Sequence, residues 1–403
     1  MTAASQSSPK QPTASAGGRL RWLDGIKGLS ILWIAYFHCY EAYINKGLPS
    51  PLDADYFARL IHQLNPQSAI EYVAAIVEGI YAAVAGVGFH AVGVFIVMSG
   101  FGLSFSLARM DGPPNGWRAW YASRVVRLFP MYWAAHLVYL ISPFEARLEP
   151  VDHRFLLSFL GDRVFPIYTM FYYLNPAWWY FGLILELYLV VPLLWALMKR
   201  VGTGWFLVIC AAETILSRYV FMFVLQASGY YLLGAFFGCR LWEFALGMLV
   251  GVWYWKDREW VYDQLFSMRT LVVGIVLYTL GLYSYESSLT YTVTDALIGT
   301  GLFVILANIA LALRHLPKLE AAVAYVGVLS YGFYLIHQPY VIRFGEFARG
   351  WSMPTFALVA IIPVAALAYG ASYLESWVNG LTDQFLRKKD AKPEAGIKRA
   401  AQA

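Results

Sequence analysis

The first apolar segment of the chain reads Leu23-Asp24-Gly25-Ile26-Lys27-Gly28-Leu29-Ser30-Ile31-Leu32-Trp33-Ile34-Ala35-Tyr36-Phe37-His38. Such a run predicts an α-helix, and Lys27 and His38 are eleven residues apart within it. Eleven residues make about three helical turns plus roughly 20°, so both side chains project from nearly the same face, about 16 Å apart along the axis. An imidazole at that depth in an apolar helix is costly, which makes His38 a candidate functional residue.

The composition indicates an integral membrane protein. Hydrophobic residues make up 59% and charged residues only 14% of the 403 residues, whereas a soluble domain carries about 25% charged residues. Apolar runs of about 20 residues recur along the chain, each long enough to cross roughly 30 Å of hydrocarbon. Cys39, Cys210 and Cys239 lie in apolar runs, and their number and spacing suggest neither a disulfide framework nor a metal site.

We predict an all-α polytopic membrane protein with about ten transmembrane helices and both termini in the cytoplasm. The orientation follows from the basic residues, because both termini and every even-numbered connection are basic. The same connections account for the net charge of +5, so the charge implies no nucleic-acid partner. The predicted spans are 24–44, 80–107, 128–146, 178–198, 204–221, 233–255, 269–286, 293–313, 322–343 and 355–378.

The two ends of the chain differ in character from the membrane part. Residues 1–18 are rich in Ser, Ala, Pro and Gln, which is typical of a disordered tail. Residues 19–380 hold all the apolar segments and form the predicted membrane domain. Residues 381–403 are predicted to form a basic cytoplasmic tail.

The His38 imidazole is expected to be neutral, because a low-dielectric environment disfavours the charged ring. A neutral ring can accept a proton, so His38 is a candidate general base. Glu41 follows one turn later on an adjacent face and can orient the ring or hold its tautomer. The alternative is a histidine without a catalytic role, bonded to a neighbouring carbonyl group.

Two further elements lie nearer the predicted cytoplasmic side. Small residues at Ser99 and Gly100 allow a neighbouring helix or a thin ligand to approach closely, although a membrane serine commonly bonds to its own helix. Arg124 and Arg127 are one turn apart, and two guanidinium groups suit a phosphate. The alternative for this pair is a charge cluster that only sets the topology.

Three other groups of polar residues interrupt the apolar segments. Glu186 lies in the middle of a predicted helix, where a carboxylate must be protonated or paired. Arg240 and Glu243 are spaced as a pair within one helix, and we favour a structural role for them. Near the predicted outer end of the ninth span, Tyr334 and His337 lie roughly along one face. They can bind a hydroxyl-rich acceptor or form an interfacial belt.

Together these elements identify a family resemblance. From Arg21 to Trp377 the chain resembles the acyltransferase-3 family of integral membrane acyltransferases. Two departures concern Lys27, where many members have arginine, and Ile184-Leu185-Glu186, where many members have two adjacent acidic residues. The matching elements are Lys27 with His38, Gly93 to Phe101, Arg124 with Arg127, Trp179 to Tyr188, Arg240 with Glu243, and Ser330 to His337.

The resemblance implies transfer of an acyl group, usually acetyl, from cytoplasmic acyl-CoA to a hydroxyl of a glycan or lipid-linked saccharide. Acetyl-CoA would be the donor substrate, no metal would be required, and the enzyme would lie in a bacterial inner membrane. The roles it implies are catalytic for His38, Glu41 and Glu186, CoA-binding for Lys27, Ser99, Gly100, Arg124 and Arg127, and acceptor-binding for Tyr334 and His337.

Two alternatives remain open from the sequence. One is an enzyme of the same type that acylates a lipid, a peptide or a small metabolite. The other is a proton-coupled transporter, because intramembrane His, Glu and Arg residues also form proton relays. The sequence shows no repeated half and no matched pair of Gly/Pro-broken helices, which weighs against the transporter.

Overall fold

The computed structural model describes residues 20–45, 47–142, 151–163, 167–227 and 230–390, and all regular structure in these ranges is helical. The predicted N-terminal tail therefore lies outside the described residues, whereas the predicted C-terminal tail is described as far as residue 390, in a helix. The helices are α1 Arg21–Ile44, α2 Tyr56–Leu64, α3 Ala69–Gly86, α4 Ala91–Arg109, α5 Gly116–Ile141, α6 His153–Phe159, α7 Ile167–Met170, α8 Trp179–Tyr219, α9 Tyr230–Ala235, α10 Leu241–Lys256, α11 Arg258–Leu265, α12 Met268–Tyr283, α13 Thr294–Ala312, α14 Pro317–Val328, α15 Ser330–Phe347, α16 Met353–Val359 and α17 Ile361–Asp390.

Several helical stretches suit a lipid bilayer. In the described part of the chain, five are long and apolar enough to cross a membrane by length and composition, or six if a bent pair counts as one. This number is smaller than the ten predicted spans, which it does not confirm. The five are Ala69–Arg109, Pro176–Val224, Met268–Glu286, Thr290–His315 and Met353–Leu386, and the bent pair is Pro317–Val328 with Ser330–Phe347.

Helix α8 is long enough for two membrane crossings and contains a break. It has 41 residues, about twice what one crossing needs. Gly202 adopts φ 80° and ψ 165°, a backbone conformation that side-chain-bearing residues rarely adopt. Gly202 lies between the predicted spans 178–198 and 204–221, so each predicted span falls on one side of the break.

Helices α4 and α10 pack at backbone distance. Gly247 and Gly251 are four residues apart on α10, as in the small-xxx-small pattern of membrane helix pairs. A Cβ atom on Gly247 would overlap the carbonyl oxygen of Val97. On the facing helix, a Cβ on Gly100 would overlap the carbonyl oxygen of Phe244. The absence of side chains at these positions therefore lets the two helices meet.

Helix α1 has the same kind of contact with α14 and α15. A Cβ on Gly327 would overlap the carbonyl oxygen of Asp24, and one on Gly28 would overlap that of Val323. Further along, a Cβ on Gly345 would overlap the carbonyl oxygen of Cys39. These contacts lie at both ends of α1 and hold it in a fixed register beside α14 and α15.

The predicted ninth span, 322–343, is not one straight helix. The structure bends it by 88° between α14 and α15. The backbone N–H of Gly332 donates to Glu375 Oε2 on α17 at 2.6 Å, and Tyr331 Oη donates to the carbonyl of Leu128 at 2.9 Å. Such partners make a helix break tolerable inside an apolar protein. The prediction of a continuous helix here was wrong. The partners that satisfy the break are distant in sequence, so no local pattern indicated it.

The α4–α10 contact predicts a position-specific effect of added methyl groups. We expect Gly247→Ala to lower the melting temperature in detergent, because overpacking typically costs about 1–3 kcal/mol. Gly102 lies on α4 with no atom within 4 Å of the Cβ position. Gly102→Ala is therefore the matched control and should leave the melting temperature unchanged or raise it. Equal loss in both variants would contradict the close contact.

Candidate active site

His38 lies on α1, partly buried and facing α15. Its Nδ1 atom is 3.5 Å from Gln338 Nε2, and its ring centroid is 5.5 Å from that of His337. The neighbouring Phe37 ring lies 5.0 Å away and packs in turn against Phe89, at 5.3 Å. The structure therefore brings together two of the predicted site residues, His38 and His337, and adds Gln338.

The backbone of α15 fixes the protonation pattern of His337. Its Nδ1 atom is 2.8 Å from the carbonyl oxygen of Tyr334 and 3.1 Å from that of Phe333. Carbonyl groups only accept hydrogen bonds, so Nδ1 carries the proton and Nε2 carries a lone pair. The side chain is fully buried, and among the described residues Nε2 has no hydrogen-bond partner.

A proline helps to fasten α15 to the segment before α8. Because Pro339 has no N–H, the carbonyl of Leu335 four residues earlier is free to accept other donors. Trp178 Nε1 and Asn175 Nδ2 donate to this carbonyl at 2.8 and 3.1 Å. The backbone N–H of Ala177 donates to Gln338 Oε1 at 2.7 Å. The site wall is thus rigid.

Tyr334 also connects α15 to the start of α8. Its hydroxyl donates to the carbonyl of Ala177 at 2.7 Å and accepts the backbone N–H of Phe181 at 3.0 Å. Its ring packs against that of Tyr180, with centroids 5.4 Å apart. The acceptor-binding role predicted for Tyr334 stays a prediction, and its observed contacts join α15 to the start of α8.

Ser99 and Gly100 face different partners. Ser99 Oγ is 3.4 Å from Tyr180 Oη, so it points toward α8. Gly100 is buried in the α4–α10 contact. Its observed role is helix packing, and its predicted place along a donor path stays a prediction.

The predicted cationic residues flank the α14–α15 break. The Arg124 guanidinium lies 5.0 Å from the Trp120 ring, and Arg127 is exposed one turn later. Tyr331, just after the break, bonds to Leu128, the residue that follows Arg127. On the other side, Lys27 Nζ lies 4.0 Å from Asp24 on the α1 turn that contacts Gly327.

The two predicted catalytic carboxylates lie on α1 and α8. Glu41 is exposed on α1, whereas the ring contacts of His38 are with Phe37 and His337. Glu186 Oε2 accepts the backbone N–H of Phe237 at 3.0 Å, which fastens α8 to the turn before α10. Their catalytic roles stay predictions.

The expected Arg240–Glu243 pair is confirmed, with Nη2 and Oε1 2.8 Å apart. It belongs to a larger buried cluster, because Asp295 lies 3.0 Å from Arg240 Nη1 and also pairs with Arg218. Two guanidinium groups and two carboxylates balance in charge, which is the requirement for burying ions. The cluster joins α8, α10 and α13 and supports the structural role.

Three features of the site were not found from the sequence. Gln338 and the Arg218–Asp295 pair are polar residues inside predicted spans, and that position alone was the available signal. Tyr180 gave no such signal, because tyrosine is common at membrane interfaces. In the described ranges no three His, Cys, Asp or Glu side chains are grouped as metal ligands.

Comparison with known families identifies the class of protein. The model of an acyltransferase domain, that of the acyltransferase-3 family, matches residues 20–374. The protein is therefore a membrane acyltransferase, and the chain belongs to the acyltransferase-3 family. No curated protein and no solved structure matches the chain.

The buried ion cluster predicts a strong stability effect. Asp295→Asn leaves Arg218 and Arg240 with Glu243 as their remaining carboxylate in the cluster, and breaking a buried pair typically costs about 3–5 kcal/mol. We expect a clear fall in the melting temperature of the detergent-solubilised protein. Glu346→Gln breaks the more exposed Arg343–Glu346 pair and should change it little. Similar melting temperatures for both variants would contradict the structural role of the cluster.

Proposed function

We propose that this protein transfers an acyl group, chiefly acetyl, from cytoplasmic acyl-CoA to a hydroxyl of a glycan or lipid-linked saccharide. The observation that carries the proposal is the His38–His337 pair, with ring centroids 5.5 Å apart, in a chain of the acyltransferase-3 family. Neutral imidazoles beside a buried polar surface are suited to remove a hydroxyl proton.

The donor is proposed to enter from the side of the cationic residues. Arg124 and Arg127 on α5, with Lys27 on α1, lie on opposite sides of the α14–α15 break and would hold the CoA phosphates. Tyr188 lies beside this region, with its ring 5.9 Å from that of Trp120. The acyl-pantetheine arm would then pass Ser99 toward His38.

The proposed chemistry is general-base acyl transfer. His38 takes the proton of the acceptor hydroxyl while its oxygen attacks the thioester carbonyl carbon. The carbon–sulfur bond then breaks and the CoA thiolate leaves, after which the imidazolium returns the proton to the thiolate. The products are an ester and free CoA. A partly buried hydroxyl such as that of Ser99 or Tyr180 would stabilise the oxyanion.

The proposed topology has ten crossings with both termini in the cytoplasm of a bacterial inner membrane. Its support is the basic character of the even-numbered connections. The break at Gly202 also gives α8 two halves, each near the length of one crossing. Under this topology His38 lies nearer the outer end of α1, where an acceptor destined for the envelope would arrive.

The proposed phosphate-binding role of Arg124 and Arg127 predicts a selective loss of acetyl-CoA affinity. We expect Arg124→Ala/Arg127→Ala to raise the dissociation constant of acetyl-CoA, because two phosphate-binding guanidinium groups are lost. Added salt should weaken binding to the wild type more than to the double variant. Binding is measured by calorimetry on purified protein. Arg258→Ala, which removes an exposed arginine beside Tyr254, is the control. Unchanged affinity in the double variant would remove the phosphate role.

The proposed general-base role of His38 predicts that its removal lowers turnover but leaves acetyl-CoA binding intact. His38→Ala should lower kcat by about 10²–10⁴-fold, the usual contribution of proton removal, and leave acetyl-CoA affinity intact. The measurement is release of free CoA per folded molecule, in membranes supplying the acceptor. His62→Ala removes an exposed histidine on α2 and is the control. Near-normal turnover in His38→Ala would contradict the mechanism.

A further inference from the structure

We propose that His337 is a positioning residue for His38. In the competent site, Nε2 of His337 accepts a hydrogen bond from Nε2–H of His38, which leaves Nδ1 of His38 as the atom that takes the proton. The inference rests on the proposed function, in which His38 is the base. It gives His337 a part in the chemical step instead of the acceptor binding predicted from the sequence.

The first support is the lone pair on His337. Hydrogen bonds to the carbonyls of Tyr334 and Phe333 keep the proton on Nδ1, so Nε2 can only accept. This nitrogen is fully buried and has no partner among the described residues. A buried acceptor without a partner is destabilising, because the loss of its hydration is not compensated. A donor inside the site would therefore be bound favourably there.

The second support is the orientation of Gln338. Its Oε1 accepts the N–H of Ala177 at 2.7 Å, so its Nε2 must be the atom turned toward His38. An amide N–H facing Nδ1 of His38 requires a lone pair on that nitrogen. The proton of the neutral His38 ring is then on Nε2. The two histidines are thus held in opposite tautomers, one with a donor and the other with an acceptor at Nε2.

The third support is distance. Imidazoles joined by a hydrogen bond of about 3 Å between nitrogens have ring centroids roughly 5 Å apart. The observed separation of His38 and His337 is 5.5 Å, with an interplanar angle of 36°. The two rings are therefore close enough for this bond once the His38 ring turns its Nε2 atom toward His337, whose own ring is held by its backbone contacts.

The contact between Gln338 Nε2 and His38 Nδ1 is at the long limit of a hydrogen bond, 3.5 Å. The acceptor hydroxyl can therefore replace Gln338 at Nδ1 at little cost. When Nδ1 takes the hydroxyl proton, His38 becomes an imidazolium whose Nε2–H remains bonded to His337. The positive charge then keeps a hydrogen-bond partner during the step, and the proton later leaves Nδ1 for the CoA thiolate.

The tautomers can be read without any substrate. The full chain, labelled with ¹⁵N-histidine in phosphatidylethanolamine–phosphatidylglycerol vesicles, is measured by solid-state NMR near neutral pH. Difference spectra with His38→Ala and His337→Gln assign the two rings. We expect the proton on Nε2 of His38 and on Nδ1 of His337. A proton on Nδ1 of His38 or on Nε2 of His337 would overturn the proposal.

Turnover tests the function of the bond. His337→Phe keeps a ring but removes the acceptor, and we expect kcat for CoA release from acetyl-CoA to fall about tenfold or more while its KM stays unchanged. His337→Gln retains an acceptor oxygen and should recover part of the loss. Full activity of folded His337→Phe, or equal loss in both variants, would overturn the proposal.

A matched control separates this role from packing. His136 is also a buried histidine on a helix, and its nitrogens contact the carbonyl of Tyr132 and the hydroxyl of Ser158, both at 2.9 Å. His136→Phe should lower stability but leave kcat per folded molecule unchanged. If the wild type releases no CoA in any membrane preparation, the proposed function fails, whereas the NMR result still decides the tautomers.

Discussion

The backbone contact between α1 and the α14–α15 pair determines where the two histidines lie. Gly327 meets Asp24 near the start of α1, and Gly345 meets Cys39 beside His38. Because the lipid offers no hydrophobic drive between helices, such close packing is what holds membrane helices together. It fixes the register of α1 against α15. The spacing of the polar groups along α1 therefore determines where they lie relative to α15.

Irregular backbone completes the site. Pro339 frees the carbonyl of Leu335, and the turn before α8 supplies Asn175 and Trp178 as its donors. The same turn orients the amide of Gln338 through the N–H of Ala177. Each irregularity therefore has partners for its polar groups, as an apolar surrounding demands. The outcome is a rigid wall on one side of His38.

Local sequence predicts some features of the fold and of the candidate site and not others. The helical class, the depth of His38 on its helix and the Arg240–Glu243 pair follow from composition and from spacing within one element. The break between α14 and α15 has no local signal, because its partner Glu375 lies on another helix. The proximity of His38 to His337 is equally non-local, since it depends on glycine contacts far apart along the chain.

The two buried polar clusters differ in how their polar groups are compensated. Around Asp295, two guanidinium groups and two carboxylates balance one another, and the cluster joins three helices. At the histidines, the lone pair of His337 has no partner in the described part of the chain, and Gln338 reaches His38 only at 3.5 Å. Opposite charges compensate one another and join helices, whereas a neutral acceptor without a donor in a rigid wall costs stability and is retained where a ligand or a reaction uses it. Under the proposed function, the chemistry of this acyltransferase takes place at the histidines.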